Sequence, residues 1–331
     1  MTTALLFLLS GVLIVAACEL FTNAVEWAGF SLRLGTGATG SLLAAIGTAL
    51  PETFVPVIAL ATHAKGADAV ATGAVLGSAF LIVTVATAAT GLAVMLRRGR
   101  PVLSVTPRQT RQDLTVFLIG FSAALVCIVL PTPARVAVGV ALLGTYAFHV
   151  LRTLRGASSE VDMPEPLHIL RWHSSASRPH AAAIAAQLVV AIAILAVASE
   201  VFVSALDNVA AALGVPTLIL ALIVVPLATE LPEALNSVLW VRSGDDALAF
   251  GNLGGAVAWQ ATVLAFIGVT FTSWRPGFGG LLGALLTLVT AFALLVALWR
   301  GRARGALLIL AGLPWLGYVI AESATGGRLG A

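Results

Sequence analysis

Roughly ten stretches of about 20 apolar residues, separated by short polar breaks, leave this chain one kind of surroundings, because a helix needs about that length to cross a bilayer. With 59% hydrophobic residues, 10% charged residues and a mean hydropathy of +1.02, the 331 residues hold too little polar surface to cover a water-soluble globule. The fold class expected is an all-α integral membrane protein with ten transmembrane helices. The hydropathy pattern places them at 4–28, 37–62, 70–96, 113–130, 134–152, 181–208, 214–241, 247–271, 278–299 and 305–323.

The net charge of +3 is distributed by side of the membrane. Fourteen of the 18 basic residues fall in loops after an odd number of crossings: Arg33, Arg97, Arg98, Arg100, Arg108, Arg111, Arg152, Arg155, Arg171, Arg178, Arg242, Arg300, Arg302 and Arg304. Only Lys65, Arg135, Arg275 and Arg328 lie on the other side. The positive-inside rule makes the odd loops cytoplasmic, so both termini are expected outside the plasma (cytoplasmic) membrane. These basic loops lack the aromatic interleaving of a nucleic-acid surface, and nothing in them points to a protein partner. Val15-Ala16-Ala17-Cys18 has the form of a lipoprotein cleavage box, but no basic residue precedes the apolar run, so the segment is read as a membrane helix. Cys18 and Cys127 both fall inside spans, as small apolar residues do.

Two prolines interrupt apolar stretches, and each is followed by a glutamate: Gly47-Thr48-Ala49-Leu50-Pro51-Glu52 and Ala228-Thr229-Glu230-Leu231-Pro232-Glu233, at a spacing of 181. Glu19 and Glu200 repeat at the same spacing, as do Glu26 and Asp207, whereas Gly73 and Gly77 answer to Gly251 and Gly255 at 178. The chain therefore divides into a first five-helix repeat at 1–152, a cytoplasmic linker at 153–180 and a second five-helix repeat at 181–331. An odd number of crossings per half sets the second copy in the membrane upside down, giving two inverted five-helix repeats.

An acid at membrane depth costs roughly 3 kcal/mol on insertion scales, so duplicated acids beside duplicated prolines mark a functional site. Proline has no N–H and clashes with the carbonyl four residues back, which frees the carbonyls of Gly47 and Ala228. Irregular backbone at that depth must be satisfied by protein, a wet cavity or an ion. Each motif thus offers a carbonyl, a threonine hydroxyl and a carboxylate within about one helical turn. Two such clusters meeting near the midplane suit a hard, oxygen-liking cation, and calcium takes 6–8 oxygens. Zinc would call for His or Cys ligands that the motifs lack. Glu19, Glu200, Glu26 and Asp207 read as caps or mouth charges on the outer parts of the helices.

These paired motifs resemble the calcium/cation antiporter superfamily, of the bacterial and archaeal sodium/calcium exchanger type. Its signature is G-T-S-x-P-E in one helix and G-N-x-x-G-S-N in the next, repeated in each half. The chain shows 47–52 with Gly73-Ala74-Val75-Leu76-Gly77-Ser78-Ala79, and 228–233 with Gly251-Asn252-Leu253-Gly254-Gly255-Ala256-Val257. The resemblance implies a central site on helices 2, 3, 7 and 8, with alternating access by sliding of helices 1 and 6. It implies that Glu52 and Glu233 bind calcium, that Thr48 and Thr229 with the Gly47 and Ala228 carbonyls complete the ion sites, and that Ser78 is a ligand. The chain departs from the pattern at Ala49, Ile82 and Ala256, where the family offers polar side chains, at Gln260, which replaces an Asp or Asn, and at Glu230, an added acid. Three acids with fewer neutral ligands depart from the family's usual sodium sites and suit calcium exchange against protons, since a desolvated carboxylate near another acid readily holds a proton.

The function expected is secondary antiport, moving Ca2+ out of the cytoplasm in exchange for Na+ or H+, with the bilayer as the other partner and no cofactor. A passive cation channel and a transport-inactive sensor or scaffold are the alternatives. Neither H-E-x-x-H nor G-x-S-x-G occurs, and the chain is not read as an enzyme.

Overall fold

A computed structural model describes residues 2–31, 51–63, 65–97, 101–154, 166–170 and 179–325. The described chain is helical apart from one small sheet. In chain order the helices are α1 (Thr2–Ser31), α2 (Pro51–Ala61), α3 (Ala67–Leu96), α4 (Pro107–Val129), α5 (Thr132–Leu154), α6 (Ala181–Leu213), α7 (Thr217–Thr229), α8 (Leu231–Ser243), α9 (Asp246–Phe271), α10 (Gly277–Ala297) and α11 (Gly305–Thr325). Eight of them are long and apolar enough to cross a membrane, and α7 and α8 together have the length and apolar character of a broken span or a re-entrant loop bent by 48°. Large side chains on the outer faces, such as Leu5, Val129, Val189 and Val289, are exposed, as lipid-facing residues are.

Each described helix falls on an apolar segment of the sequence, but the ends differ. α4 begins at Pro107, six residues before the expected 113, because its first two turns carry Arg108, Gln109, Arg111 and Gln112, which hydropathy alone reads as loop. The fold is all-α as expected, with one short sheet added to it. Val102–Ser104 and Arg302–Arg304, called β1 and β2, pair antiparallel, with Leu103 opposite Ala303. Two loops that lie side by side satisfy their backbone groups on one another, and three-residue strands with polar neighbours leave no hydropathy signal.

The helices pair in opposite directions across the molecule. Phe7 of α1 stacks on Phe202 of α6 with centroids 4.8 Å apart, while Gln187 at the other end of α6 donates to the Leu20 carbonyl at 2.8 Å, so α1 and α6 run antiparallel. Thr72 of α3 donates to Thr272, just beyond α9, at 3.2 Å, and Arg97 after α3 meets Asp246 at the start of α9 at 2.5 Å, so α3 and α9 are antiparallel too. Arg97 also donates to the carbonyls of Val241 and Val102, and the Ser104 N–H donates to Asp246 at 2.8 Å. That network ties the ends of α3, α8 and β1 together. By contrast α3 and α7 cross closely, through small residues. A Cβ at Gly73 would lie 2.5 Å from the Leu218 carbonyl oxygen, and one at Gly77 would collide with the Leu222 carbonyl. Gly66, at φ +77°, turns the chain into α3, where any side chain would also meet Asp207.

The segment expected to be only a linker is in part structural. Leu167 is buried with Trp27 and Ile184, the His168 N–H donates to Asn23, and His168 Nε2 lies 3.2 Å from Glu19. Gln187 completes the join by accepting from the Ile169 N–H at 2.9 Å and donating to Asn23 at 2.9 Å. A charged, Pro- and Ser-rich composition hides such docking, because only one leucine and a few backbone bonds carry it.

Candidate cation site

The second break is a helix end followed by a helix start, rather than a kink within one helix. α7 closes at Thr229, and Glu230, at φ −101° and ψ −3°, is at once its C-terminal cap and the N-terminal cap of α8. The Glu230 N–H donates to the Pro226 carbonyl at 2.8 Å, and its own carbonyl accepts from Ala234 at 3.1 Å. Pro232 sits in the first turn of α8, where its missing N–H removes nothing that the helix uses, and Glu233 lies in the same turn. In the first half α2 starts at Pro51, with Glu52 in its first turn. Glu233 therefore stands at a positive helix end, which favours a carboxylate, while α7 presents its negative carbonyl end to the same region.

Glu52, Glu230 and Glu233 are all fully buried, and so are Ser78, Thr229 and Gln260. Glu230 and Glu233 lie within electrostatic range of Glu52, so α2 and the α7–α8 break set their acids in one region of the bundle. Gln260 of α9 donates from Nε2 to Glu230 Oε1 at 3.0 Å. Ser78 lies beside Glu230. Both oxygens of Glu52, Oε2 of Glu230, Oε1 of Gln260 and Oγ of Ser78 have no hydrogen-bond partner among the described residues. A group of polar atoms withdrawn from water without partners is costly unless a ligand completes it. Among the described residues no three His, Cys, Asp or Glu side chains converge tightly enough to grip a metal ion by themselves. The oxygens unspent here are those of carboxylate, amide and hydroxyl groups, a donor set that fits calcium or sodium and not zinc.

Of the other expected ligands, Gly47 and Thr48 lie outside the described residues. Thr229 donates its hydroxyl to the Val225 carbonyl at 3.3 Å, so its proton is spent on its own helix and only its lone pairs face outward. Ala228 is half-buried, and Pro232 leaves its carbonyl without the usual helical donor. Of the four outlying acids, Asp207 accepts from Thr217 at 2.8 Å and lies 3.6 Å from Lys65, Glu19 meets His168, and Glu200 is exposed.

Several features escaped the sequence. α3 and α9 each contain one π-helical turn, Ile82–Ala86 and Gln260–Leu264, 178 residues apart. In the first, Thr84 donates to the Phe80 carbonyl. In the second, Thr262 donates to that of Ala258 at 2.5 Å. A π turn inserts an extra residue into the helix and commonly marks a working site. The matching threonines are the only signal of it in the sequence. Cys18 of α1 and Tyr146 of α5 also lie within electrostatic range of the acids. Ser199, the counterpart of Cys18 at a spacing of 181, is fully buried with its Oγ unpartnered among the described residues. The Trp259 indole donates to Thr53 at 3.0 Å, fastening α9 to α2, and Asn252 donates to the Glu233 carbonyl at 3.3 Å.

The chain superposes on the crystal structure of the H+/Ca2+ exchanger CAX with a TM-score of 0.76 at 18% identity, over 99% of this chain and 86% of that one. It superposes on the sodium-calcium exchanger NCX_Mj, soaked with Na+ and Sr2+, with a TM-score of 0.60 at 18% identity, over 97% and 98% of the two chains. At that identity the likeness establishes the shared fold. No curated protein matches the chain in sequence. The sodium/calcium exchanger protein family matches residues 2–155 and 183–321, nearly all of the chain. It is therefore to this family of membrane cation exchangers, whose members are transporters, that the chain belongs.

Proposed function

We propose that the protein is a secondary antiporter that moves Ca2+ out of the cytoplasm in exchange for protons, by alternating access at a midplane site formed by Glu52, Glu230, Glu233, Ser78 and Gln260. Thr229, Thr48 and the carbonyls of Gly47 and Ala228 complete the shell. The observation that carries this reading is that three fully buried acids, Glu52, Glu230 and Glu233, lie within electrostatic range of one another beside the α7–α8 break. No lysine or arginine pairs with Glu52 or Glu230 among the described residues, so cations or protons must balance their charge. Ile82 supplies no oxygen at the position equivalent to Gln260, which leaves a sodium ion fewer ligands in the first repeat. A proton needs only a carboxylate.

The architecture proposed with it has ten helices in two inverted repeats, both termini outside, and the plasma membrane as its location. The antiparallel pairing of α1 with α6 and of α3 with α9, and the π turns spaced by 178, support that symmetry. Coupling requires the ions to bind the two access states differently, so Ca2+ and protons compete for the same carboxylates. Calcium uptake into liposomes under an imposed pH gradient, and separately under a sodium gradient, tests the proposal. Uptake driven by pH alone is expected. Uptake driven by sodium alone overturns the choice of counter-ion, and flux without either gradient makes the protein a channel.

A further inference from the structure

One group of basic residues is organised beyond what membrane sidedness needs. Arg108 and Arg111 from the first turns of α4, and Arg152 from the last turn of α5, line a cavity of about 350 Å³ with Thr115, Phe148 and His149. Arg108 and Arg152 are exposed, and neither enters an ion pair among the described residues. Arg111 is held in place: its Nε–H donates to the Pro107 carbonyl at 3.0 Å, and its guanidinium lies 5.0 Å from the centroid of Trp299. Those contacts leave its terminal nitrogens unspent. The nearby acid does not neutralise the cluster, because Asp113 is buried and paired with His149 at 3.3 Å.

Three guanidinium groups around one cavity match the oxygens of a phosphoryl group, which planar forks bind two at a time. Phe148 is 64% exposed, so one wall of the cavity continues onto the lipid-facing surface. A free phosphate has no use for that wall, whereas an acyl chain does. We propose that the cavity between α4 and α5 binds the phosphate-bearing headgroup of an anionic phospholipid in the cytoplasmic leaflet. The site is separate from the cation site and shares with the transport proposal only the sidedness drawn from the basic loops, which also sets it where anionic lipid is attracted.

The test is lipid retention by the purified full-length protein, read by native mass spectrometry after exchange into detergent with equal phosphatidylglycerol and phosphatidylcholine. Preferential retention of phosphatidylglycerol is expected. Arg108→Ala with Arg152→Ala should weaken it roughly twentyfold, from about fivefold per arginine at a membrane surface. Arg242→Ala with Arg302→Ala, on the same face but outside the cavity, should leave it unchanged. Equal retention of the two lipids, or an equal loss in both double variants, overturns the proposal, the latter because it shows diffuse surface charge. Inorganic phosphate that displaces the lipid at millimolar concentration assigns the cavity to a free anion and overturns the lipid. Should the alanine pair fail to fold, lipid preference and phosphate competition in the unaltered protein still decide between these outcomes.

Discussion

The two halves of the cation site differ in what holds their acids. On the first side Glu52 has both oxygens unspent among the described residues, and the π turn of α3 carries the hydrocarbon side chain of Ile82. On the second side Glu230 is held by Gln260, whose π turn in α9 occupies the matching position. One half thus presents a bare carboxylate, and the other a carboxylate oriented by an amide. A symmetric cage would bind an ion equally from both repeats. This one divides its labour, with Glu52 and Glu233 as the principal charge and Glu230 as the acid whose position is tuned by a neutral neighbour.

The largest effect expected follows from removing a principal charge. Glu52→Gln and Glu233→Gln should each lower calcium flux in liposomes by at least about 100-fold, since losing a ligand costs more than the 10–100-fold lost with a supporting partner. Glu230→Ser should cost about tenfold and change the response to pH. If Glu230→Ser proves as damaging as Glu52→Gln, the division between principal and tuned acids is wrong. All three variants keep the fold, because none adds volume to the buried cluster, and a monodisperse gel-filtration peak verifies that.

How far the sequence foretold this arrangement depends on which force acts. The apolar segments and the paired Pro-Glu motifs are local and costly, so α1, α6 and the acids Glu52, Glu230 and Glu233 are legible in the sequence, and all three acids are buried in the structure. Gln260 was legible only as a departure from a family pattern, and nothing in its neighbours foretold that its amide would reach Glu230. The break at Glu230 was expected at Pro232, yet the proline is accommodated in the first turn of α8 and the chain turns two residues earlier. The π turns, the docking of Leu167 and the β1–β2 pairing arise from contacts between distant segments. They leave no periodicity in the segments that form them.

The middle effect is a swap across the comparison. Gln260→Leu should free Glu230 from its amide and reduce flux roughly tenfold, the lower range for a supporting partner. Ile82→Gln gives the first half the amide it lacks. It should make sodium a stronger competitor for the site, because it adds one neutral oxygen to a half that lacks it. Calcium uptake measured against rising external sodium separates the two. An Ile82→Gln protein with unaltered sodium competition would mean that this position faces away from the ion.

The smallest effect concerns the π turns themselves. Thr84→Val removes the side-chain bond to the Phe80 carbonyl in α3, and Thr262→Val removes that to Ala258, shared with Trp259 at 3.3 Å, in α9; both keep the side-chain volume. A buried hydrogen bond contributes about 1 kcal/mol net, so both variants should lose similar, modest stability in thermal unfolding. Transport should tell them apart. Gln260 begins the turn that Thr262 holds, so relaxing that turn shifts the amide from Glu230, whereas relaxing the turn of Thr84 moves only Ile82 and its apolar neighbours. Thr262→Val should therefore cut calcium flux several-fold where Thr84→Val leaves it near the starting rate. Equal losses of flux would show that the π turns matter as a matched pair of hinges, and that the amide of Gln260 is not what distinguishes the two halves.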